Sequence, residues 1–156
     1  MYLPGFLAEL YAAVGVPFDR ARERAMADRL LLDWNQVRAL CAAGFDVQSH
    51  SYAHRVLNTL TAEQARQDLW RARLDLEGAI DRPVQAVAYP TGQQLGNNPA
   101  LRQAVVDAGY RYGFTVERLV PIDSVGDWLA VPRMMIDHDI TDSFFRTSLA
   151  LPPLGH

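Results

Sequence analysis

The chain has 156 residues, 49% hydrophobic and 21% charged, with a formal net charge of −3 at pH 7. That length and balance describe one globular domain with its own core, and the lack of a basic block argues against nucleic acid as a partner. A single cysteine, Cys41, rules out an internal disulfide, and no apolar run approaches the length of a membrane span.

No charged n-region and apolar h-region open the chain, so no signal peptide is visible. Met1-Tyr2-Leu3-Pro4-Gly5 reads as the end of a strand entering a turn. Phe6 to Tyr11 has helical spacing, Val16-Pro17-Phe18 interrupts it, and Arg20 to Leu32 alternates charge with alanine like an exposed helix or loop. Asp33 is an N-cap for a helix with Trp34, Val37, Leu40 and Cys41 on one stripe, and Gly44 stands at its C′ position. On that stripe Cys41 reads as a small core residue rather than a nucleophile. Phe45 to Ser49 is a short strand. Thr61 and Gln64 make a capping box for a helix reaching about Ile80. Its inward stripe is Ala65, Leu69, Ala72, Leu76 and Ile80, with Arg66, Asp68, Arg73 and Asp75 toward water.

After the turn Asp81-Arg82-Pro83, Val84 to Tyr89 is a strand ended by Pro90-Thr91-Gly92. Asn98 caps the next helix with Pro99 at N1; Leu101, Ala104, Val105 and Ala108 form its stripe, and Gly109 stops it. Tyr112 to Val116 is a strand. Leu129 to Ile136 is another, with Pro132 awkward in its middle. Thr141 caps a final helix using Phe144, Phe145 and Leu149. Residues 1–150 thus form the domain and 151–156 a frayed tail.

Strands alternating with helices imply βα units around a parallel sheet or barrel, where chemistry collects at the carboxyl ends of strands. Ser49-His50-Ser51-Tyr52-Ala53-His54 stands at such an end. If a helical turn begins there, the two imidazoles share a face, roughly 5–6 Å apart at Cβ. Two nitrogens could then bind one metal ion at about 2.0–2.1 Å each. The same spacing also pads helix starts that bind nothing, so a structural pair stays open. Position 51 is Ser, which excludes the zinc-protease pattern His-Glu-x-x-His, whose Glu is the general base. Pro90-Thr91-Gly92 and Asp137-His138-Asp139 also follow strands. Asp46 shares strand parity with His50 and is either a ligand or a polar group at the sheet edge. Asp127 beside Trp128 is either a sugar-binding pair or a turn Asp next to a buried Trp. Tyr52 and Tyr89 carry the same two readings, and Arg133 either meets the site or pairs with an Asp.

The stretch Gly44 to His54 resembles the His-box of the polysaccharide deacetylase (NodB-homology) family. Leu32 to Leu40 resembles the helix leading into it, Leu57 to Thr61 the segment after it, Val87 to Gly92 the next strand-end motif, and Gly109 to Thr115 the strand beyond. The likeness covers about residues 30–116. It implies a distorted (β/α) barrel that removes acetyl groups from N-acetylated glycans or related small molecules with a divalent metal, most often Zn²⁺. It implies that His50 and His54 are metal ligands, that the Thr91 N–H is an oxyanion donor, and that His138 is the counterpart of a late general acid. The family's strand-end Arg is matched by Ala88.

The family's Asp-Asp motif, source of the third ligand and the base, has no counterpart here. Met1-Tyr2-Leu3-Pro4 resembles the family's second strand, so the expectation is a barrel lacking its first βα unit. Weak zinc binding, little activity and self-association through an exposed sheet edge would follow. The alternative is a non-catalytic remnant of the same fold that binds glycan or a partner chain. Many family members act outside the cytoplasm.

Overall fold

The computed structural model describes residues 3–15, 19–92, 95–96, 98–116 and 125–150. Among the described residues six α-helices run in order: α1 (Leu3–Ala13), α2 (Arg20–Leu30), α3 (Trp34–Ala42), α4 (Ala62–Ile80), α5 (Pro99–Asp107) and α6 (Asp142–Ala150). Three strands of the described residues are interleaved with them: β1 (Ala86–Ala88), β2 (Tyr112–Val116) and β3 (Val131–Arg133). They pair in parallel in the order β1-β2-β3, with Ala88 opposite Phe114 and Phe114 opposite Val131. Among the described residues this sheet is open, so the α/β class and parallel strands stand while the distorted barrel that the resemblance implies, lacking its first βα unit, is not seen as such.

Helix boundaries follow local chemistry closely. Asp33 and Gln36 form a reciprocal capping box at α3, and Thr61 and Gln64 form one at α4. The Asn98 side chain accepts from the Leu101 N–H, with Pro99 in the first turn of α5. Gly44 (φ +92°) and Gly109 (φ +94°) end α3 and α5 by the same device. In each the glycine N–H and the one after it bond back to carbonyls of the last turn: Gly44 to Cys41 and Phe45 to Leu40, Gly109 to Val106 and Tyr110 to Val105.

One core lies between the sheet and two helices. Val87 and Val84 pack with Ala65, Leu69 and Ile80 of α4 and with Leu101, Ala104 and Val105 of α5. The Tyr110 hydroxyl donates to the Leu69 carbonyl at 3.0 Å, tying the approach to β2 onto α4. Cys41 is buried, as expected, while Trp34 on the same stripe is half exposed. The opposite face of the sheet, carrying Tyr112, Phe114 and Val116, is only partly covered.

Several sequence expectations are corrected. Leu3 to Gly5 opens a helix and not a strand end; proline is tolerated in a first turn, whose N–H groups have no intrahelical partner, and the Leu, Ala and Glu residues from Leu7 to Ala13 are strong helix formers. Met1, Tyr2, the 16–18 interruption and the tail 151–156 lie outside the described residues. Phe45 to Ser49 is not a strand: it makes one bridge, Ser49 to Val87. The Gln48 side chain takes the place of backbone pairing there, accepting from the Gln85 and Ala86 N–H groups at 3.0 and 2.9 Å. The long strand expected over 129–136 shortens to Val131–Arg133, with Pro132 in an edge strand. Helix α2 buries no residue and the Phe144, Phe145 and Leu149 stripe of α6 faces solvent. Arg73 is half-buried, with its guanidinium over Gly109, where any Cβ would meet Arg73 Cζ at 2.6 Å.

Candidate active site at the strand ends

His50 follows the Ser49 bridge, so it stands at the carboxyl end of the sheet. Its Nδ1 lies 2.7 Å from the Ala88 carbonyl oxygen. A carbonyl can only accept, so Nδ1 carries the proton and Nε2 keeps its lone pair for a ligand. The His54 ring meets the His50 ring edge-on, with centroids 4.9 Å apart and planes at 69°.

The chain between them is not the helical turn expected. Ser51 (φ +69°) and His54 (φ +51°) both adopt the left-handed conformation, which costs about 1–3 kcal/mol for a side-chain-bearing residue. The loop is held open by side-chain oxygens. The Ser51 N–H donates to Ser49 Oγ at 3.4 Å, and the His54 N–H to Ser51 Oγ at 3.0 Å. The Tyr52 and Ala53 N–H groups donate to the two carboxylate oxygens of Asp68 at 2.9 and 3.2 Å. Arg71 of the same helix, α4, lies 4.0 Å above the Tyr52 ring. Asp68, expected in water, is therefore a structural partner of the His loop.

A cleft of about 390 Å³ runs from His50 past Thr91 and Gly92 to Val116, Arg133 and Met134–Ile136. Thr91 is a third strained residue here (φ +61°). It is exposed, and the following Gly92 cannot carry a side chain, because a Cβ would sit 2.5 Å from Val116 Cβ. Among the described residues four non-glycine positions have positive φ. Ser51, His54 and Thr91 are at this rim, and Asp81 caps α4. Strain gathered at one place is itself a functional signal. Arg133 Nε donates to the Thr115 carbonyl at 3.3 Å, and its guanidinium lies 6.0 Å from the Phe114 ring centre. Among the described residues no carboxylate pairs with it, so Arg133 meets the cleft rather than an Asp.

The other sequence candidates separate from this cluster. Tyr89 borders the cleft, but it is fully buried and its hydroxyl donates to the Leu129 carbonyl at 2.8 Å. Burial pushes its phenol pKa up. It therefore braces β3 rather than offering a hydroxyl to a ligand. His138 is almost wholly exposed beyond Ile136, with Nδ1 2.8 Å from Asp137 Oδ1. That ring contact, with the His138 N–H donating to the same oxygen at 2.7 Å, holds the Asp137 carboxyl below its ordinary range. Trp128 precedes β3 and stands edge-on to Tyr112, with centroids 5.9 Å apart, in a second cleft of about 530 Å³ shared with Asp46, Gln48 and Phe114. In a parallel sheet a residue that precedes a strand sits at the opposite end from one that follows it, so neither Trp128 nor Asp46 is brought to the His pair. Asp46 instead accepts from Gln48 Nε2 at 2.7 Å.

Asp127 accepts from Arg102 at 2.8 Å and from the Leu129 N–H at 3.0 Å, so it is a turn and ion-pair residue. Arg102 holds its carboxyl below the ordinary aspartate value. A depressed folded pKa adds stability that is fully present above the unfolded value of about 3.9 and is lost as pH falls through the folded value. Asp127→Asn is therefore expected to be less stable than the parent near neutrality and to converge with it in acid. Urea unfolding at a series of pH values measures that convergence.

Were a divalent cation to bind here, the available donors would be His50 Nε2, which the neutral tautomer leaves unprotonated, and a nitrogen of the His54 ring, whose centroid lies 4.9 Å away. Among the described residues no group of three or more His, Cys, Asp or Glu side chains completes such a site.

Residues 13–113 match the family model described as polysaccharide deacetylase. That is well over half of the sequence, and the chain belongs to the polysaccharide deacetylase family. Its fold is similar to that of the Streptococcus pyogenes deacetylase PplD, solved in complex with acetate (19% identity, TM-score 0.66, covering 74% of this chain and 50% of that one). It is also similar to BC0361, a polysaccharide deacetylase from Bacillus cereus (23%, 0.65, 76% and 36%). A third similar structure is a de-N-acetylase from Aggregatibacter actinomycetemcomitans (18%, 0.62, 74% and 52%). The chain spans about half or less of the length of these structures. No curated protein is found to match it. No helix among the described residues is long and apolar enough to cross a membrane.

Proposed function

We propose that this chain carries part of a metal-dependent hydrolase site that removes acetyl groups from N-acetylated carbohydrate. The observation that carries this reading is the edge-on contact of His50 and His54 at a strained strand-end loop, opening onto the cleft that holds Thr91. His50 and His54 would hold a divalent cation, Zn²⁺ by the chemistry of an all-imidazole pair. Such an ion supplies an activated water and charge stabilisation at a carbonyl. The Thr91 N–H, in its left-handed turn, would donate to the oxygen of the acetamide as charge develops on it. Met134, Met135 and Ile136 give the cleft an apolar wall suited to an acetyl methyl group. His138 would protonate the leaving amine if its exposed loop folds over the cleft. We read the three parallel strands as a portion of the distorted barrel that the family resemblance implies.

The described residues hold no third ligand and no base beside the His pair, so the chain as written is expected to bind Zn²⁺ weakly and to turn over slowly. The test is acetate release from an acetylated chitooligosaccharide with Zn²⁺ and after chelation. Slow release that chelation abolishes is the expected result. Release that ignores chelation overturns the metal-dependent reading. Binding of the glycan without any release favours the second reading, a non-catalytic glycan-binding domain, which the incomplete ligand set supports.

A further inference from the structure

We propose that Asp68 is the positioning residue of the site: it sets the distance and orientation of the two imidazoles without touching what they bind. This rests on the metal-clasp reading above and deepens it. Both carboxylate oxygens of Asp68 are committed to the loop, one to the Tyr52 N–H and the other to the Ala53 N–H. With both oxygens engaged, Asp68 acts as a brace and not as a ligand.

Tyr52 and Ala53 are two of the three residues between His50 and His54, and they are flanked by the left-handed Ser51 and His54. A helical turn would place the same rings one above the other; here the loop holds them edge-on. Four consecutive N–H groups, from Ser51 to His54, all donate to side-chain oxygens. Only the middle two reach outside the loop, and both go to Asp68. Helix α4 is a rigid support, buried along Ala65, Leu69 and Ala72 and fixed at its start by a capping box. Asp68 adjoins Leu69, which is fully buried, so the carboxylate stands on an immobile part of the helix. Without it, two adjacent amides lose their acceptor and the strained turn loses its hydrogen bonds to α4, keeping only the Arg71 contact on the Tyr52 ring.

The test compares Asp68→Ala and Asp68→Asn with Glu63→Ala, which removes an exposed carboxylate of the same helix that bonds to Arg66 and Gln67 and not to the loop. Two readouts are used on the whole chain. The first is the ring-to-ring nuclear Overhauser contact of His50 and His54 without metal, together with the amide shifts of Tyr52 and Ala53. The second is Zn²⁺ affinity, with far-ultraviolet circular dichroism to verify that each variant is folded. Asp68→Ala is expected to lose the ring contact and to weaken Zn²⁺ binding by about 10–100-fold, the range for removal of an outer partner. Asp68→Asn, with one accepting oxygen left, should fall between, and Glu63→Ala should match the parent. A folded Asp68→Ala that keeps the ring contact overturns the proposal. If the parent itself takes up no Zn²⁺, the metal reading fails while the ring contact still decides the role of Asp68.

Discussion

Replacing His50 with alanine is expected to lower Zn²⁺ affinity by more than about a hundredfold, beyond the 10–100-fold typical of losing an outer partner. His50 contributes twice. Its Nε2 is one of two nitrogens available to a cation, and its Nδ1 bond to the Ala88 carbonyl fixes the ring on the sheet. His54 stands on a strained loop residue whose own tie is Ser51 Oγ, so alone it offers one nitrogen on a less constrained support. Because the parent is expected to bind weakly, competition against a chromophoric chelator suits the measurement. Equal metal content in the parent and in His50→Ala would show that the pair is structural. His54→Ala should give a loss of the same order, since each removes half of the clasp.

Leu69→Ala is expected to destabilise the chain by about 2–5 kcal/mol, the usual range for emptying a fully buried leucine site. Leu69 has no solvent exposure, and the core around it is drawn from α4, α5 and the strand residues, so the site cannot collapse by a surface movement. A middle value of about 3 kcal/mol corresponds to a fall in Tm of roughly 6–12 °C for a chain of this length. Leu74→Ala, on the exposed face of the same helix, should change stability by less than about 0.5 kcal/mol. Calorimetry on the two variants distinguishes them. Similar small effects in both would show that α4 is not the helix around which the core is organised.

The helix ends were the most legible part of this sequence because their chemistry is local. Asp33, Thr61 and Asn98 cap the helices they were expected to cap, and Gly44 and Gly109 end theirs in the left-handed conformation. Each needs only neighbours within a few residues. The extended elements were harder. Phe45 to Ser49 has the composition of a strand, yet its pairing is replaced by one glutamine side chain, a substitution that no periodicity reveals. At the start of the chain, Pro4 and Gly5 read as turn residues, but proline in a first helical turn costs nothing in hydrogen bonds.

The site divides along the same line. The neighbourhood of His50, His54 and Thr91 was readable, because in parallel folds the residues after strands collect at one end. That rule also places Trp128 and Asp46, which precede extended segments, at the other end; side-chain chemistry had suggested otherwise. The backbone of the His loop was not readable. Its left-handed residues are a serine and a histidine, not the glycine that would have marked that conformation, and the carboxylate that supports them lies on a different element. Asp68 looked like any solvated position of an amphipathic helix. Only its proximity to the loop in three dimensions distinguishes it from Asp75.

Pro132 has a consequence for how this sheet can grow. It occupies the centre of a three-residue strand that has a neighbour on one side only, among the described residues. A newcomer aligning along that free side would find a gap in the row of donors where an amide hydrogen should be, so continuous lateral addition is blocked at its midpoint. The opposite margin, beside β1, is already occupied: Ser49 exchanges bonds with Ala86 and Ala88, the Gln48 side chain takes the Gln85 and Ala86 N–H groups, and the His50 ring takes the Ala88 carbonyl. Neither margin of the described sheet therefore offers a newcomer an unbroken row of amides.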